Sequence, residues 1–166
     1  MTLIFRAPRL GDAETIAEDI RPMDALECRC LGQAPLDALR VGMSGSTEPV
    51  VVEGSHGPIV AFGIIPISVM DRQGLPWLLG TTETPRHARA LLGLSRPRLD
   101  AMAEGWRVLE NIVHAENRQS IRWLRFLGFA VEPELLHVGG QPFRRFTRLS
   151  SACVFPFSPP QPSPQP

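Results

Sequence analysis

The chain has 166 residues, of which 17 are Lys or Arg and 17 are Asp or Glu, so its formal net charge is zero. This length is enough for one domain with a substantial core and too short for two. A neutral chain lacks the broad positive field that drives nonspecific nucleic-acid binding, so we expect no nucleic-acid partner. No run of residues approaches the roughly 20 apolar positions that a membrane span needs, and we expect a cytoplasmic protein.

The cysteines and the N-terminus fit this expectation. Cys28 and Cys30 are too close for an easy disulfide, and with Cys153 they supply no metal-ligand spacing. We therefore predict reduced thiols and no metal site. Residues 1–8 lack the basic start and apolar run of a secretory signal.

The first half of the chain predicts a strand, three short helices and a three-stranded meander. Helices are predicted over 12–20, 23–31 and 35–41, and strands over 2–7, 50–53, 59–67 and 77–81. Asp12 is placed to cap the first helix, and Pro22 is expected to interrupt it. Turn residues at 54–58 and 71–74 indicate an antiparallel meander, in which Pro66 ends or bulges the central strand.

The second half predicts a crossover followed by a proline-rich tail. Helices are predicted over 86–94, 97–106 and 117–127, and strands over 109–115, 129–132 and 142–149, with His137 in a loop. Arg96 should mark a break or a kink between the first two helices, because the residue before a proline disfavours helical dihedrals. Residues 1–150 are therefore predicted to form one domain, and 151–166 a disordered, polyproline-like tail.

One segment resembles a known family. The run from Leu109 to Phe129 resembles the strand–helix–strand signature of the GNAT N-acetyltransferases. In that family a small residue follows the Asn by three positions, a Tyr by seven and Gly-Phe by eleven and twelve. Asn117, Ser120, Gly128 and Phe129 fall on this spacing, as a cap, a small helix residue, a left-handed turn and a core residue.

The resemblance implies the GNAT fold, an α/β (α+β) domain with a mixed, mostly antiparallel sheet flanked by helices. We expect this sheet to splay between the strands at 60–81 and 109–115, which makes a V-shaped cleft. It also implies an acetyl-CoA-dependent N-acetyltransferase that acts on an acceptor amine.

A second resemblance, spread over most of the domain, is to the internal virion protein A family of short-tailed phages, whose members are often labelled acetyltransferase-like. It rests on the segments 76–81, 86–89, 94–97, 120–124 and 142–146. It implies a phage or prophage origin, phage structural proteins as partners, and a place in the virion as well as the host cytoplasm. The alternative function is thus a non-catalytic assembly part that keeps the GNAT fold as a scaffold.

The GNAT resemblance implies a loop that holds the pyrophosphate of acetyl-CoA on backbone N–H groups at a helix start. The matching segment here, 84–90, has no glycine pair, so side chains would have to bind the phosphates. The candidate cofactor-binding residues are Thr82, Thr84, Arg86, Arg89 and Asn117.

The resemblance also implies a tyrosine general acid, but the chain has no tyrosine and Leu124 holds that position. Ser120, Cys28, Cys30 or a water could replace it. For the general base, Glu83 comes first by its place after the third meander strand, and His114 with Glu116 second. The candidate catalytic residues are therefore Glu83, His114 and Ser120, each of which could equally be an ordinary solvated or hydrogen-bonded residue.

A basic face is predicted on the last helix. Arg118, Arg122 and Arg125 are spaced to lie on one side of it. They could contact CoA phosphates, nucleic acid or an acidic partner, or they could form a solvated face balanced by acids such as Glu132 and Glu134.

Overall fold

The computed structural model describes residues 3–150, so the predicted tail and Cys153 lie outside the described residues. The strands are β1 (Ile4–Arg6), β2 (Val50–Gly54), β3 (Gly57–Ser68), β4 (Gln73–Gly80), β5 (Val108–His114), β6 (Ala130–Val131), β7 (Leu136–Val138) and β8 (Gln141–Leu149). The helices are α1 (Asp12–Glu18), α2 (Pro22–Cys30), α3 (Pro35–Gly45), α4 (Ala88–Ala103) and α5 (Arg118–Phe126). A 3-10 turn (Thr84–His87) leads into α4. None of the helices in residues 3–150 is long and apolar enough to cross a bilayer.

The strands form a single mixed sheet in the order β1-β2-β3-β4-β5-β8-β6, with β7 also paired to β8. Every neighbouring pair is antiparallel except β4 and β5, which are parallel. Parallel pairing is required there, because α4 carries the chain from the end of β4 back to the start of β5. The predicted α/β class, with a mostly antiparallel sheet flanked by helices, is confirmed.

The parallel pair is short. β4 and β5 are in register only at Gln73 with Val108 and at Gly74 with Leu109, and beyond these residues the strands separate. The two predicted strand regions are therefore neighbours in one sheet, and the expected splay between them is confirmed.

Helices cover both faces of the sheet. The helices α1, α2 and α3 lie on one face, over a cluster of apolar residues that includes Ile16, Cys28, Leu39, Val51, Ala61 and Leu79. The helices α4 and α5 lie on the other face, over two clusters that include Val60, Phe62, Leu91, Trp123, Ile64, Leu109, Val113 and Ile121.

The ends of α1, α2 and α5 agree with the predicted ends to within two residues, whereas α3 continues four residues beyond its predicted end, to Gly45. Pro35 opens α3 as predicted, and Pro22 opens α2 rather than interrupting a helix, because a first-turn proline has no N–H to lose. The cap of α1 is Gly11, with φ +91°, and Asp12 is its first residue. The Asp12 carboxylate instead accepts from Arg9 N at 2.6 Å and pairs with Arg6, which ties α1 to β1.

The expected break at Arg96 is wrong, since α4 is one helix of 16 residues with Pro97 inside it. Pro97 removes the bond to the Gly93 carbonyl, but both residues are exposed, so water can satisfy that carbonyl. Leu91 and Leu99, two buried residues on either side of the proline, hold both halves of the helix against the sheet.

The strand β7 was not predicted, and His137 lies in it rather than in a loop. The signal was Gly139-Gly140, two glycines with φ of +56° and +76° that join Val138 to Gln141 as a tight hairpin. The strand β4 also begins at Gln73, four residues earlier than predicted, whereas the irregularity at Pro66 is confirmed by a register shift before Ser68.

The signature segment has the predicted local structure. The Asn117 side chain accepts from Ser120 N at 3.2 Å and caps α5. Gly128 has φ +87° and ends the helix, and Phe129 is buried in the core.

Replacing Gly42 in α3 should destabilise the domain. A Cβ built on Gly42 lies 2.6 Å from Cε2 of Trp77, whose indole N–H donates to Ser46 Oγ at 2.8 Å and fixes the ring. We expect Gly42→Ala to lower the free energy of unfolding by about 1–3 kcal/mol, measured in urea. Gly93→Ala is the control, because its Cβ meets no atom within 4 Å and alanine favours helix by about 1 kcal/mol. Equal effects of the two variants would show that α3 does not rest on Trp77.

Candidate active site

A cleft opens where β4 and β5 separate, with a volume of about 650 Å³. The helices α2 and α3 line it on one side of the sheet, and α4 and α5 on the other. Its wall is mainly apolar, with Phe62, Trp77, Leu78, Leu91, Trp123 and Phe129 among the residues that line it. The cleft therefore suits an apolar or extended ligand held by a few polar groups.

The strands separate because the ladder meets a proline. The register places the N and C=O of Pro76 on the side that faces β5, one ladder step beyond Gly74, and Pro76 has no N–H to donate. At this ladder step the side-chain amide of Asn111 takes the position of a peptide group of β5. Its Nδ2 donates to Pro76 O at 2.9 Å, and its Oδ1 accepts from Ile112 N at 2.8 Å. Asn111 thus bridges both strands as a peptide group would.

Beyond Pro76, one residue of β4 presents unpaired backbone groups to the cleft. Strand alternation turns the backbone groups of Leu78 and Gly80 toward the cleft as well. Gly80 N donates to Asp24 Oδ2, and Gly80 O accepts from Arg21 N, both at 2.8 Å. Within residues 3–150, no hydrogen bond to Leu78 crosses the cleft, so its N–H and C=O are free to pair with a ligand.

Arg21 and Asp24 form a buried ion pair beside this edge. Two hydrogen bonds of 3.0 and 2.6 Å join the guanidinium to the carboxylate. Burial raises the pKa of Asp24, and the Arg21 charge opposes this rise. Arg21 also lies over the Trp123 ring at 5.7 Å and places Nη2 at 3.4 Å from Ser120 Oγ. The pair therefore brings a positive charge next to the Ser120 hydroxyl.

Glu27 occupies the β5 side of the cleft. Its Oε1 accepts from His114 N at 3.0 Å and from Asn117 Nδ2 at 2.9 Å. Burial raises the pKa of Glu27, and the nearby charge of Asp24 adds to this rise, while the two hydrogen bonds oppose it. Among the described residues, no ion pair compensates this carboxylate.

Cys28 lines the same part of the cleft. Burial raises the pKa of its thiol to about 11, and the charges of Asp24 and Glu27 add to the shift. The thiol therefore stays protonated at neutral pH.

Of the predicted catalytic residues, the structure places only Ser120 in the cleft. Glu83 lies on the surface and pairs with Arg86. The His114 ring is buried edge-on against Phe143, with 5.3 Å between the ring centroids. Its Nδ1 accepts from Glu116 N at 3.2 Å, so the ring is used within the fold and only the backbone N–H of His114 faces the cleft.

The predicted phosphate ligands have different surroundings. Thr84 is fully buried and its hydroxyl donates to Ile59 O at 2.8 Å, which removes it from the loop surface. Thr82 donates to Asp19 at 2.8 Å. The amide of Asn117 is used by Glu27, as described above. Arg89 is exposed and has no ion pair within residues 3–150.

The backbone of the same loop is closed in this structure. Thr84 N donates to Thr81 O, Arg86 N to Glu83 O, and Ala88 N to Pro85 O. The 3-10 turn therefore uses N–H groups that a glycine-rich loop would present to a phosphate.

Exposed arginines lie on the segments where α4 and α5 begin. The helices α4 and α5 both begin where parallel strands end, so their N-termini lie at one edge of the sheet. Arg86 lies in the 3-10 turn before α4 and Arg89 in the first turn of α4, while Arg118 begins α5 and Arg122 lies one turn further along it. The predicted balance of the basic α5 face by Glu132 and Glu134 is not found in the described part of the chain, where no ion pair joins them.

Neither Asp24 nor Glu27 was predicted from the sequence as a site residue. The available signal was the spacing of α2, in which Asp24 falls on the same face as the buried residues Ala25 and Cys28. An acid on an apolar helix face needs a partner or a function. Arg21, three residues before Asp24, is placed to pair with only one of the two acids.

Two isosteric replacements should separate the roles of these acids. A raised folded pKa means that ionised Glu27 destabilises the fold, by an amount that grows as pH rises through the folded pKa and vanishes below the ordinary value of 4.5. Glu27→Gln keeps an Oε1 acceptor, so we expect it to raise Tm at pH 8 and to leave it unchanged near pH 4. Asp24→Asn should instead lower stability by about 3–5 kcal/mol at pH 8, because it leaves Arg21 buried and unpaired. Thermal unfolding at both pH values measures these effects, and a Tm loss for Glu27→Gln at pH 8 would contradict the burial of an uncompensated charge.

Comparison with solved structures identifies proteins that share this fold. No family model matches the sequence, and no curated protein matches it. Among solved structures, a protein assigned as a phosphinothricin N-acetyltransferase superposes with a TM-score of 0.64 at 17% identity, over 90% of this chain and 99% of its own. The spermidine N-acetyltransferase of Vibrio cholerae, in complex with CoA and spermine, superposes with a TM-score of 0.60 at 21% identity, over 90% and 96% of the two chains. The chain therefore has the fold of the GNAT N-acetyltransferases.

Proposed function

We propose that this protein is an acetyl-CoA-dependent N-acetyltransferase that acts on an amine. The observation that carries the proposal is the free N–H and C=O of Leu78 on the edge of a mainly apolar cleft. The pantetheine arm of CoA is extended and contains two amides, so it can add to this edge of β4 as a short strand does. The CoA complex of the Vibrio cholerae enzyme, which shares the fold, supports the proposal.

The phosphates of acetyl-CoA would bind to side chains. The closed turn at 84–87 offers few backbone donors, whereas Arg86 and Arg89, where α4 begins, are exposed. Arg89 has no ion pair among the described residues, and the Glu83 partner of Arg86 is itself at the surface. Charge-assisted bonds from these two guanidinium groups replace the missing glycine loop.

Ser120 takes the place of the absent tyrosine. Acetyl-CoA supplies an acyl group activated by its thioester, and the sulfur that leaves needs a proton. Leu124 lines the cleft but has no proton to donate, whereas the Ser120 hydroxyl lies one helical turn earlier and faces the same space. Arg21 Nη2 at 3.4 Å favours negative charge beside this hydroxyl.

A second candidate function is a non-catalytic GNAT-fold part of a phage particle, which the second resemblance implies. The closed 3-10 turn and Leu124 favour it, because both depart from what the family uses to bind and protonate CoA. In that role the exposed arginines at 86, 89, 118 and 122 would face an acidic protein partner, with salt-dependent affinity.

Calorimetry with acetyl-CoA tests the first proposal directly. We expect binding, and we expect the double variant Arg86→Ala/Arg89→Ala to weaken it by at least about tenfold through lost charge-assisted bonds. The double variant Arg72→Ala/Arg107→Ala is the control. It removes the same charge at the opposite end of β4 and β5, where Arg107 N donates to Arg72 O at 2.7 Å. Absence of binding at millimolar acetyl-CoA would favour the assembly role, and equal losses in both double variants would place the phosphates elsewhere.

Ser120→Ala should lower kcat by about 100-fold or more, because it removes the proton donor. Ser95→Ala is the matched control, since Ser95 also lines the cleft, from α4, but lies away from Arg21. Steady-state kinetics with acetyl-CoA and an excess of amine measure both variants. Similar rates for Ser120→Ala and the unaltered protein would assign the proton to Cys28 or to water.

A further inference from the structure

The ionisable groups of the cleft wall leave one charge uncompensated. The wall contains Asp24, Glu27, Cys28, Glu110 and Arg145. Asp24 is neutralised by Arg21, and Cys28 is a protonated thiol. Glu110 lies 3.8 Å from Arg145, so their charges oppose each other. Among the described residues that line the cleft, Glu27 alone brings a net negative charge.

The geometry of Glu27 suits a cationic ligand. Its Oε1 is held by N–H donors from β5 and from Asn117, which fix the orientation of the carboxylate before any ligand binds. Its Oε2 has no hydrogen-bond partner among the described residues. The other groups around it are the ion-paired Asp24 and Arg21, the Cys28 thiol and the His114 backbone, and none of these is a free cation.

The part of the cleft wall formed by α2, α3 and β4 is largely apolar. Leu31 follows α2, Val41 and Gly42 belong to α3, and Trp77 lies opposite them on β4. A second charge on a ligand would lose its hydration here without gaining a partner.

We propose that the acceptor is a monoamine, one primary ammonium group on an apolar stem, and that Glu27 is the catalytic residue that binds and deprotonates it. This inference rests on the proposed acetyl transfer. It makes the acceptor different from spermidine, the polyamine in the name of the Vibrio cholerae enzyme, since a polyamine carries charges that this cleft does not match.

The proton balance is complete with the residues present. The ammonium gives one proton to Glu27 Oε2 and becomes a neutral amine with a free electron pair. The nitrogen forms a bond to the acyl carbon, the carbon–sulfur bond breaks, and the sulfur takes the electron pair. A second proton passes from nitrogen to sulfur through the Ser120 hydroxyl, and Glu27 releases the first proton to water after the products leave. Burial favours this role, because it raises the pKa of Glu27 toward the working pH.

Three acceptors with the same six-carbon stem test the inference: hexylamine, 1,6-diaminohexane and 6-aminohexanoate. With acetyl-CoA at pH 8, we expect kcat/KM for hexylamine to exceed the other two by at least about tenfold, because each of them adds a charge. We expect Glu27→Gln to lower kcat/KM for hexylamine by about 100-fold or more and to remove the acidic limb of the pH profile. Glu18→Gln, on the exposed surface of α1, is the control and should leave both unchanged.

A binding measurement distinguishes failure of the monoamine inference from failure of the proposed acetyl transfer. Trp77 lines the cleft, so hexylamine added to the CoA complex should change tryptophan fluorescence in the unaltered protein and not in Glu27→Gln. Acetyl-CoA affinity of Glu27→Gln should stay within about twofold, since in this proposal Glu27 binds the acceptor and Arg86 and Arg89 bind the phosphates. Equal or better use of 1,6-diaminohexane, or an unchanged pH profile in Glu27→Gln, would overturn the inference alone. Absence of acetyl-CoA binding by the unaltered protein would overturn the proposed function and this inference with it.

Discussion

A peptide group buried between two strands needs a hydrogen-bond partner, and Pro76 removes one donor at the first ladder position after Gly74. The side-chain amide of Asn111 satisfies the two groups nearest to that position, and beyond it the strands are too far apart to pair. Every later feature of the site follows from this separation. The free peptide groups of β4 and β5 must be bonded by side chains or by a ligand.

Helix α2 supplies most of those side chains, and its two acids do so in different ways. Asp24 bonds Gly80 N while paired with Arg21, so its charge is balanced inside the fold. Glu27 bonds His114 N without a cation, so its charge is left for something that enters the cleft. A buried carboxylate with no cationic partner opposes folding, and its presence in the wall of a cleft is typical of a functional group.

Local features could be predicted from the sequence, and features built from distant segments could not. The cap at Asn117 and the turn at Gly128 depend on residues within one helical turn, so their spacing was sufficient. The helix break expected at Arg96, before Pro97, is not found, because packing of α4 on distant strands outweighs a local dihedral preference. Glu27 could not be identified because its surroundings come from β5 and α5, almost ninety positions later in the chain, as the separation of 87 from His114 shows.

The position of Pro76 also sets how far into the domain a ligand can reach. Backbone groups that face β5 recur every second residue, and each residue of a strand advances about 3.3 Å. Moving the proline two positions along β4 would close or open the sheet by one ladder step, about 7 Å, without altering the helices on either face. The position of one proline in β4 thus sets the depth of the cleft, and with it the length of ligand that fits inside. A related protein in which this proline and the bridging asparagine were both shifted along the strands would accept a longer or a shorter ligand.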